Sequence, residues 1–157
     1  MKTADLHSLQ ALRELREQRA SSRLAAQQAR CRETRTELDK SREALHQHRE
    51  RLAREAEEVF GRFSEGLSVS AWRAAQDELQ RLEEQGEALA EQAVVATREV
   101  ENQEQLRQEL RQQHAAQQQK TVAWGAMVEH RARREARAGE QRDESDELPG
   151  ARPGHPE

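Results

Sequence analysis

Large apolar side chains are too rare in this chain to fill an ordinary globular core. Leu, Val, Phe and Ile together account for 24 of the 157 residues, and isoleucine is absent. That share lies below the roughly 20% at which a chain can still bury a packed core. Ala, Glu, Lys, Leu and Arg instead account for 90 residues, which is typical of long helices and coiled coils. The composition therefore predicts an all-α fold.

Glycine and proline divide the chain into few segments. No proline precedes Pro149, and Gly61 and Gly66 bracket a short segment. We therefore predict a helix over about residues 4–60, a turn over 61–67 and a helix over about 68–138, with Ser68 as its N-cap. Residues 1–139 would form a long antiparallel two-helix coiled-coil hairpin. Residues 140–157 are expected to be an acidic and then Pro/Gly-containing disordered tail.

Apolar residues recur with helical periodicity in both segments. In the second segment they alternate spacings of three and four from Trp72 to Val100, and the pattern slips by one at Leu106 and Leu110. In the first segment six of them are seven residues apart: Leu24, Cys31, Leu38, Leu45, Leu52 and Val59. Both rows are typical of helices that pack along a narrow seam.

The register of the hairpin follows from its short turn, since a short turn makes the helices antiparallel neighbours. Paired residues should have numbers that sum to about 130, which aligns the two apolar rows. In that register Leu45 lies opposite Gly86, and the small residue lets the two backbones approach closely. The seam is narrow and rich in alanine, so we expect only marginal stability for the isolated hairpin.

The sequence contains no arrangement typical of catalysis or metal binding. Its six histidines are scattered and are interpreted as solvated, and its carboxylates alternate with arginines as on solvated helix faces. Cys31, the single cysteine, is interpreted as a small core residue. We predict no enzyme activity, cofactor or metal. Without a membrane-spanning run or a secretory signal, a cytoplasmic protein is expected.

Two regions carry residues suited to binding a partner. Arg131, Arg133, Arg134 and Arg137 form a basic cluster that is either a solvated helix end or a contact for an acidic protein surface. Trp124 and Trp72 are either seam residues or binding anchors. The region around the turn carries more apolar residues than one turn needs: Phe60, Phe63, Leu67 and Val69.

In the order of these features the chain resembles the YscO/FliJ-type stalk proteins of bacterial type III secretion systems, and most closely the YscO/HrpO branch. The resemblance covers about residues 6–147. Its first part is a leucine-rich, basic N-terminal segment with Leu6, Leu9, Leu12, Leu15, Arg13, Arg16 and Arg19. The later parts are the turn sequences 59–63 and 67–70, the segment 120–124, and a basic stretch that leads into the acidic residues 143–147.

The resemblance implies a coiled-coil stalk at the cytoplasmic face of the secretion apparatus, attached to the membrane only through its partners. It implies contacts with the hexameric secretion ATPase, with the cytoplasmic domain of the export gate and with secretion chaperones. The residues facing the ATPase would be Leu6, Leu9, Leu12, Lys120, Trp124, Arg131, Arg133 and Arg134. The residues facing the gate would be Phe60, Phe63, Leu67 and Trp72.

Two alternatives remain open at the level of the sequence. The two helical segments could pair between chains in a dimeric coiled-coil scaffold unrelated to secretion, although a monomer is expected. The basic cluster could also bind nucleic acid, but it lacks interleaved aromatic residues and the chain has a net charge of -4. Nucleic acid is therefore not expected among the partners.

Overall fold

The computed structural model describes residues 2–147, which form two helices and no strand. Helix α1 comprises Thr3–Glu65 and helix α2 comprises Val69–Glu147. The two helices pack against each other as a hairpin, which confirms the predicted fold class. Met1 and residues 148–157, where most of the predicted disordered tail falls, lie outside the described residues.

The turn is shorter than the predicted span of residues 61–67. Helix α1 continues through Gly61 to Glu65, so only residues 66–68 are not helical. One glycine inside a helix costs only about 1 kcal/mol relative to alanine, which is too little to end a helix of this length. Gly66, with a φ of 97°, ends the helix. Ser68 Oγ accepts a hydrogen bond from the N–H of Ala71 at 3.2 Å, which confirms Ser68 as the N-cap of α2.

The two glycines near the turn should respond oppositely to alanine. Gly66→Ala is expected to lower the free energy of unfolding by about 1 kcal/mol, because L side chains rarely adopt a positive φ. Gly61→Ala is expected to raise it by about 0.5–1 kcal/mol, since Gly61 is helical and a Cβ there would meet open space. Thermal unfolding followed by circular dichroism measures both; destabilisation by Gly61→Ala would contradict the helical assignment at that position.

Helix α2 also extends further than predicted. The sequence predicted an end near residue 138 and a disordered acidic segment from residue 140, but α2 runs through Gly139 to Glu147. The physical reason is local: residues 140–147 contain three Glu, one Gln and one Arg, which all favour the helix. The first proline after it is Pro149, so no residue before that point removes a backbone donor.

Contacts divide the hairpin into two units, of which the first contains residues 1–23 and 111–157 and the second residues 24–110. In the second unit the row predicted on α1 is confirmed, because its six residues are all buried or half-buried. Between them lies a second row of mostly polar residues, Gln27, Thr34, Ser41, His48 and Glu55, that is likewise at least half-buried. The seam therefore follows the heptad geometry even where the side chains are not apolar.

On α2 the predicted slip of the heptad pattern does not occur. The spacing of three and four continues from Val100 through Gln103 and Arg107 to Leu110, and each of these residues is half-buried. Leu106 instead points away from the seam and is 41% exposed. Polar residues therefore hold the register in this stretch, and the apolar pattern alone misassigned Leu106.

The predicted register placed Gly86 opposite Leu45, but Gly86 faces His48. A Cβ on Gly86 would lie 3.2 Å from the His48 ring, so the small residue makes room for the imidazole. His48 Nε2–H donates a hydrogen bond of 2.6 Å to the carbonyl oxygen of Leu82. His48 is therefore a seam residue, and its interpretation as a solvated histidine was wrong.

The first unit has a sparser apolar core. Its buried apolar residues are Leu6 on α1 and Val128 on α2. Polar contacts join the helices elsewhere: the Thr3 hydroxyl donates to Glu135 at 2.6 Å, and Gln10 Nε2 donates to the Thr121 carbonyl oxygen at 3.4 Å. Because so little apolar surface is buried here, this unit should open before the second one.

Candidate functional surfaces

The residues predicted to bind partners fall into two sets, one in each unit, and of the first set only Leu6, Trp124, Arg131 and Arg134 line one cleft. We define the terminal surface as the eight predicted residues of the first unit: Leu6, Leu9, Leu12, Lys120, Trp124, Arg131, Arg133 and Arg134. We define the turn surface as Phe60, Phe63, Leu67 and Trp72 of the second unit. The residues within each set differ widely in exposure, and this difference decides what each can contribute to binding.

The leucines of the terminal surface are progressively more exposed along α1. Leu6 is buried, Leu9 is half-buried and Leu12 is 43% exposed. A spacing of three residues falls short of a full helical turn, so each leucine rotates further away from the seam. Leu12 is thus accessible to a partner, whereas Leu6 mainly packs within the hairpin.

Trp124 lies half-buried beside a cation from the other helix. The guanidinium carbon of Arg13 is 4.7 Å from the centre of the Trp124 ring, a cation–π geometry worth about 0.5–1 kcal/mol at an exposed site. Trp124 is half-buried, which fits its interpretation as a seam residue, and its role as a binding anchor stays a prediction.

The basic cluster on α2 is partly neutralised by its own helix. Arg131 pairs with Glu135 at 3.4 Å, and Arg133 pairs with Glu129 at 3.6 Å. Within residues 2–147, Arg134 forms no ion pair and is exposed. The hydrogen bond from Thr3 lowers the pKa of the Glu135 carboxyl, and Arg131 acts in the same direction. Glu135 is thereby held in its charged form.

Leu6, Trp124, Met127 and Arg131 line an open cleft of about 680 Å³ together with Arg134. Glu135 also lines the cleft and pairs with Arg131, so Arg134 is its guanidinium without an ion pair among residues 2–147. Such a cleft suits a partner with an apolar side chain next to a carboxylate.

The turn surface combines an aromatic pair with accessible apolar area. The rings of Phe63 and Trp72 are 4.8 Å apart with an interplanar angle of 45°. Phe63 is still 58% exposed and Phe60 is 66% exposed, whereas Leu67 and Trp72 are half-buried. Phe60 and Phe63 are therefore the accessible anchors of this surface.

Several exposed apolar residues lie outside the sets predicted to bind partners. In the first unit these are Leu15, Val122 and Met127, and in the second unit Val94, Val95 and Leu106. Each lies off the alternating three-and-four rows. The sequence does contain a signal for such residues. Once one row of residues has been assigned to the seam, an apolar residue outside that row is expected to be exposed.

Comparison of the chain with protein-family models, with curated protein sequences and with solved structures found no match. Neither α1 nor α2 has a stretch long and apolar enough to cross a lipid bilayer. Within residues 2–147, no three His, Cys, Asp or Glu side chains are placed to share a metal ion.

Proposed function

We propose that this protein is a central-stalk component of a type III secretion apparatus that links the hexameric export ATPase to the export gate. The observation that carries the proposal is the presence of accessible apolar residues in both units of a helical hairpin. Leu12 and Met127 are exposed in the first unit, and Phe60 and Phe63 in the second. The heptad rows already bury the seam, so these residues are free to contact partners.

The role proposed for the chain is mechanical. The terminal surface would contact the ATPase ring and the turn surface the cytoplasmic domain of the gate. Nucleotide-driven changes in the ring would then reach the gate through the hairpin. Binding of secretion chaperones to the exposed apolar residues is part of the same proposal, as is a cytoplasmic location beside the apparatus.

The direct test is copurification with the cognate secretion ATPase and, separately, with the cytoplasmic domain of the gate. Trp124→Ala with Arg131→Ala is expected to reduce ATPase binding by at least about tenfold and to leave gate binding unchanged. Phe60→Ala with Phe63→Ala is expected to do the reverse. Complex formation and the rate of ATP hydrolysis are measured for both pairs.

Loss of Trp124 also removes packing inside the hairpin, so a second variant is needed. Met127→Gln changes only an exposed side chain of the same cleft, and it should weaken ATPase binding while preserving helicity. If the native chain bound neither partner at micromolar concentration, the stalk proposal would be wrong.

The chain is expected to be a monomer of 18.1 kDa, because one chain supplies both helices of the seam. Sedimentation equilibrium measures this mass. An obligate dimer would favour the alternative of a dimeric coiled-coil scaffold.

A further inference from the structure

The charges of the chain are divided unevenly between the two units. The described residues of the first unit, 2–23 and 111–147, contain twelve Lys and Arg and ten Asp and Glu, and five of these ten carboxylates lie at the end of α2 in residues 140–147. The second unit contains thirteen Lys and Arg and nineteen Asp and Glu. Residues 2–23 and 111–139, with eleven Lys and Arg against five Asp and Glu, are therefore cationic despite the negative net charge of the chain, and they would attract acidic partners.

A cleft of about 420 Å³ concentrates this positive charge. Arg16, Arg19 and Arg23 of α1 line one side, and Lys120 of α2 lines the other. Alanines and glutamines complete the lining, and no carboxylate is part of it. Throughout the described residues, none of these four cations forms an ion pair, and all four are exposed.

We propose that this cationic cleft binds an acidic helix of a partner protein. Arg16, Arg19 and Arg23 follow one another at spacings of three and four, so they share one face of α1 and span about 10 Å. Carboxylates at the same spacings on a second helix cover the same length. Each guanidinium can then meet one carboxylate in a bidentate contact.

The cleft is better suited to carboxylates than to nucleic acid. None of its lining residues is aromatic, so no ring is available on which a base could stack. Gln113 and Gln117 supply amide groups that can bond to a second oxygen of a carboxylate.

The cleft and the apolar cleft of the terminal surface lie on one face of α2. Gln113, Gln117 and Lys120 line the first, and Trp124, Met127 and Arg131 line the second; the six follow one another at spacings of three and four. One bound helix could therefore place carboxylates over the arginines and apolar residues over Trp124 and Met127.

The test uses the full chain and a fluorescein-labelled helical peptide of about 18 residues. The peptide carries three glutamates at spacings of three and four, followed by two leucines on the same face. The control peptide has the same composition, with one glutamate moved to the opposite face. Fluorescence anisotropy is expected to show at least about tenfold tighter binding of the first peptide.

A matched pair of variants locates the binding. Arg16→Gln with Arg19→Gln is expected to weaken binding of the first peptide by about tenfold. The control variant, Arg51→Gln with Arg54→Gln, removes the same charge from α1 in the second unit. These two arginines are also exposed and three residues apart, and neither forms an ion pair among residues 2–147. This control pair should leave binding within about twofold of the native chain.

Four results would overturn the proposal. If both variant pairs lost the same amount of peptide affinity, binding would depend only on the net charge of the chain. If both peptides bound with equal affinity, the helical spacing of the glutamates would not matter. Tighter binding of single-stranded RNA than of the first peptide would assign the cleft to nucleic acid. A dimer of the native chain that dissociates in the Arg16→Gln, Arg19→Gln variant would assign the cleft to a second copy of the chain. No secretion component enters this test, so its failure leaves the stalk proposal standing, and the converse also holds.

Discussion

Replacing Leu82 with alanine is expected to lower the free energy of unfolding by about 3 kcal/mol. Leu82 is 2% exposed and is the most completely buried large side chain among residues 2–147. Truncation removes its contacts with the seam and leaves a cavity that two rigid helices can close only in part. Few other large apolar residues are buried in this chain, so the loss is a large fraction of its stability.

Leu106→Ala is the matched control, because it makes the same chemical change on the same helix at a 41% exposed position. Its effect is expected to stay within about 0.5 kcal/mol. Urea denaturation followed by circular dichroism measures both variants. A loss at Leu106 as large as that at Leu82 would mean that the seam does slip at Leu106, as the apolar pattern alone had indicated.

The helices could be predicted because their determinants are local. Abundant helix formers, the N-cap at Ser68 and the heptad from Leu24 to Val59 each act within a few residues. Their boundaries were less predictable. A glycine ends a helix only when its φ becomes positive, as at Gly66, and Gly61 and Gly139 remain helical. Single residues do not reveal which of these outcomes occurs.

The polar residues of the seam could not be predicted from the pattern of apolar residues. Two rows were candidates to complete the seam of α1 beside the row from Leu24 to Val59: residues 34, 41, 48 and 55 on one side of it, or the arginines at 35, 42 and 49 on the other, and periodicity alone could not choose between them. The structure places the His48 row inside, because His48 can donate to a backbone carbonyl across the seam. Such a bond depends on the partner helix and its register, which a single helical pattern does not contain.

The candidate surfaces were predictable in part. An accessible apolar patch was expected because the turn region carries more apolar residues than one turn needs, and Phe60 and Phe63 are indeed exposed, as is Arg134. The N-terminal leucines were expected beside Trp124 and Val128, but four leucines at spacing three look equivalent until the seam is known, so the sequence did not single out Leu6 as the buried one. The cationic cleft was missed for a similar reason, because Lys120 joins the arginines only after the helices pair.

Replacing Gln27 with alanine is expected to destabilise the hairpin by about 2 kcal/mol. Gln27 is the buried polar residue of the seam, and its Nε2 donates to the backbone oxygen of Gln103 at 3.0 Å and to the side-chain oxygen at 2.7 Å. The Cys31 thiol donates to the same backbone oxygen at 3.3 Å. Alanine removes both hydrogen bonds of the Gln27 side-chain amide and leaves unfilled space in the seam beside Gln103.

Gln28→Ala provides the control, since the adjacent Gln28 is exposed and the intrinsic gain in helix propensity is the same. Thermal unfolding should show a clear drop in the unfolding midpoint only for Gln27→Ala; equal midpoints would mean that the buried hydrogen bonds contribute nothing to stability.

The double variant Gln27→Leu with Gln103→Leu separates the effect on stability from the effect on helix register, because both side chains of the hydrogen-bonded pair become apolar. This double variant is expected to retain stability but to pair less specifically, since one buried polar layer favours a single register over its neighbours. Disulfide trapping of cysteines placed on facing helix positions measures how many registers are populated.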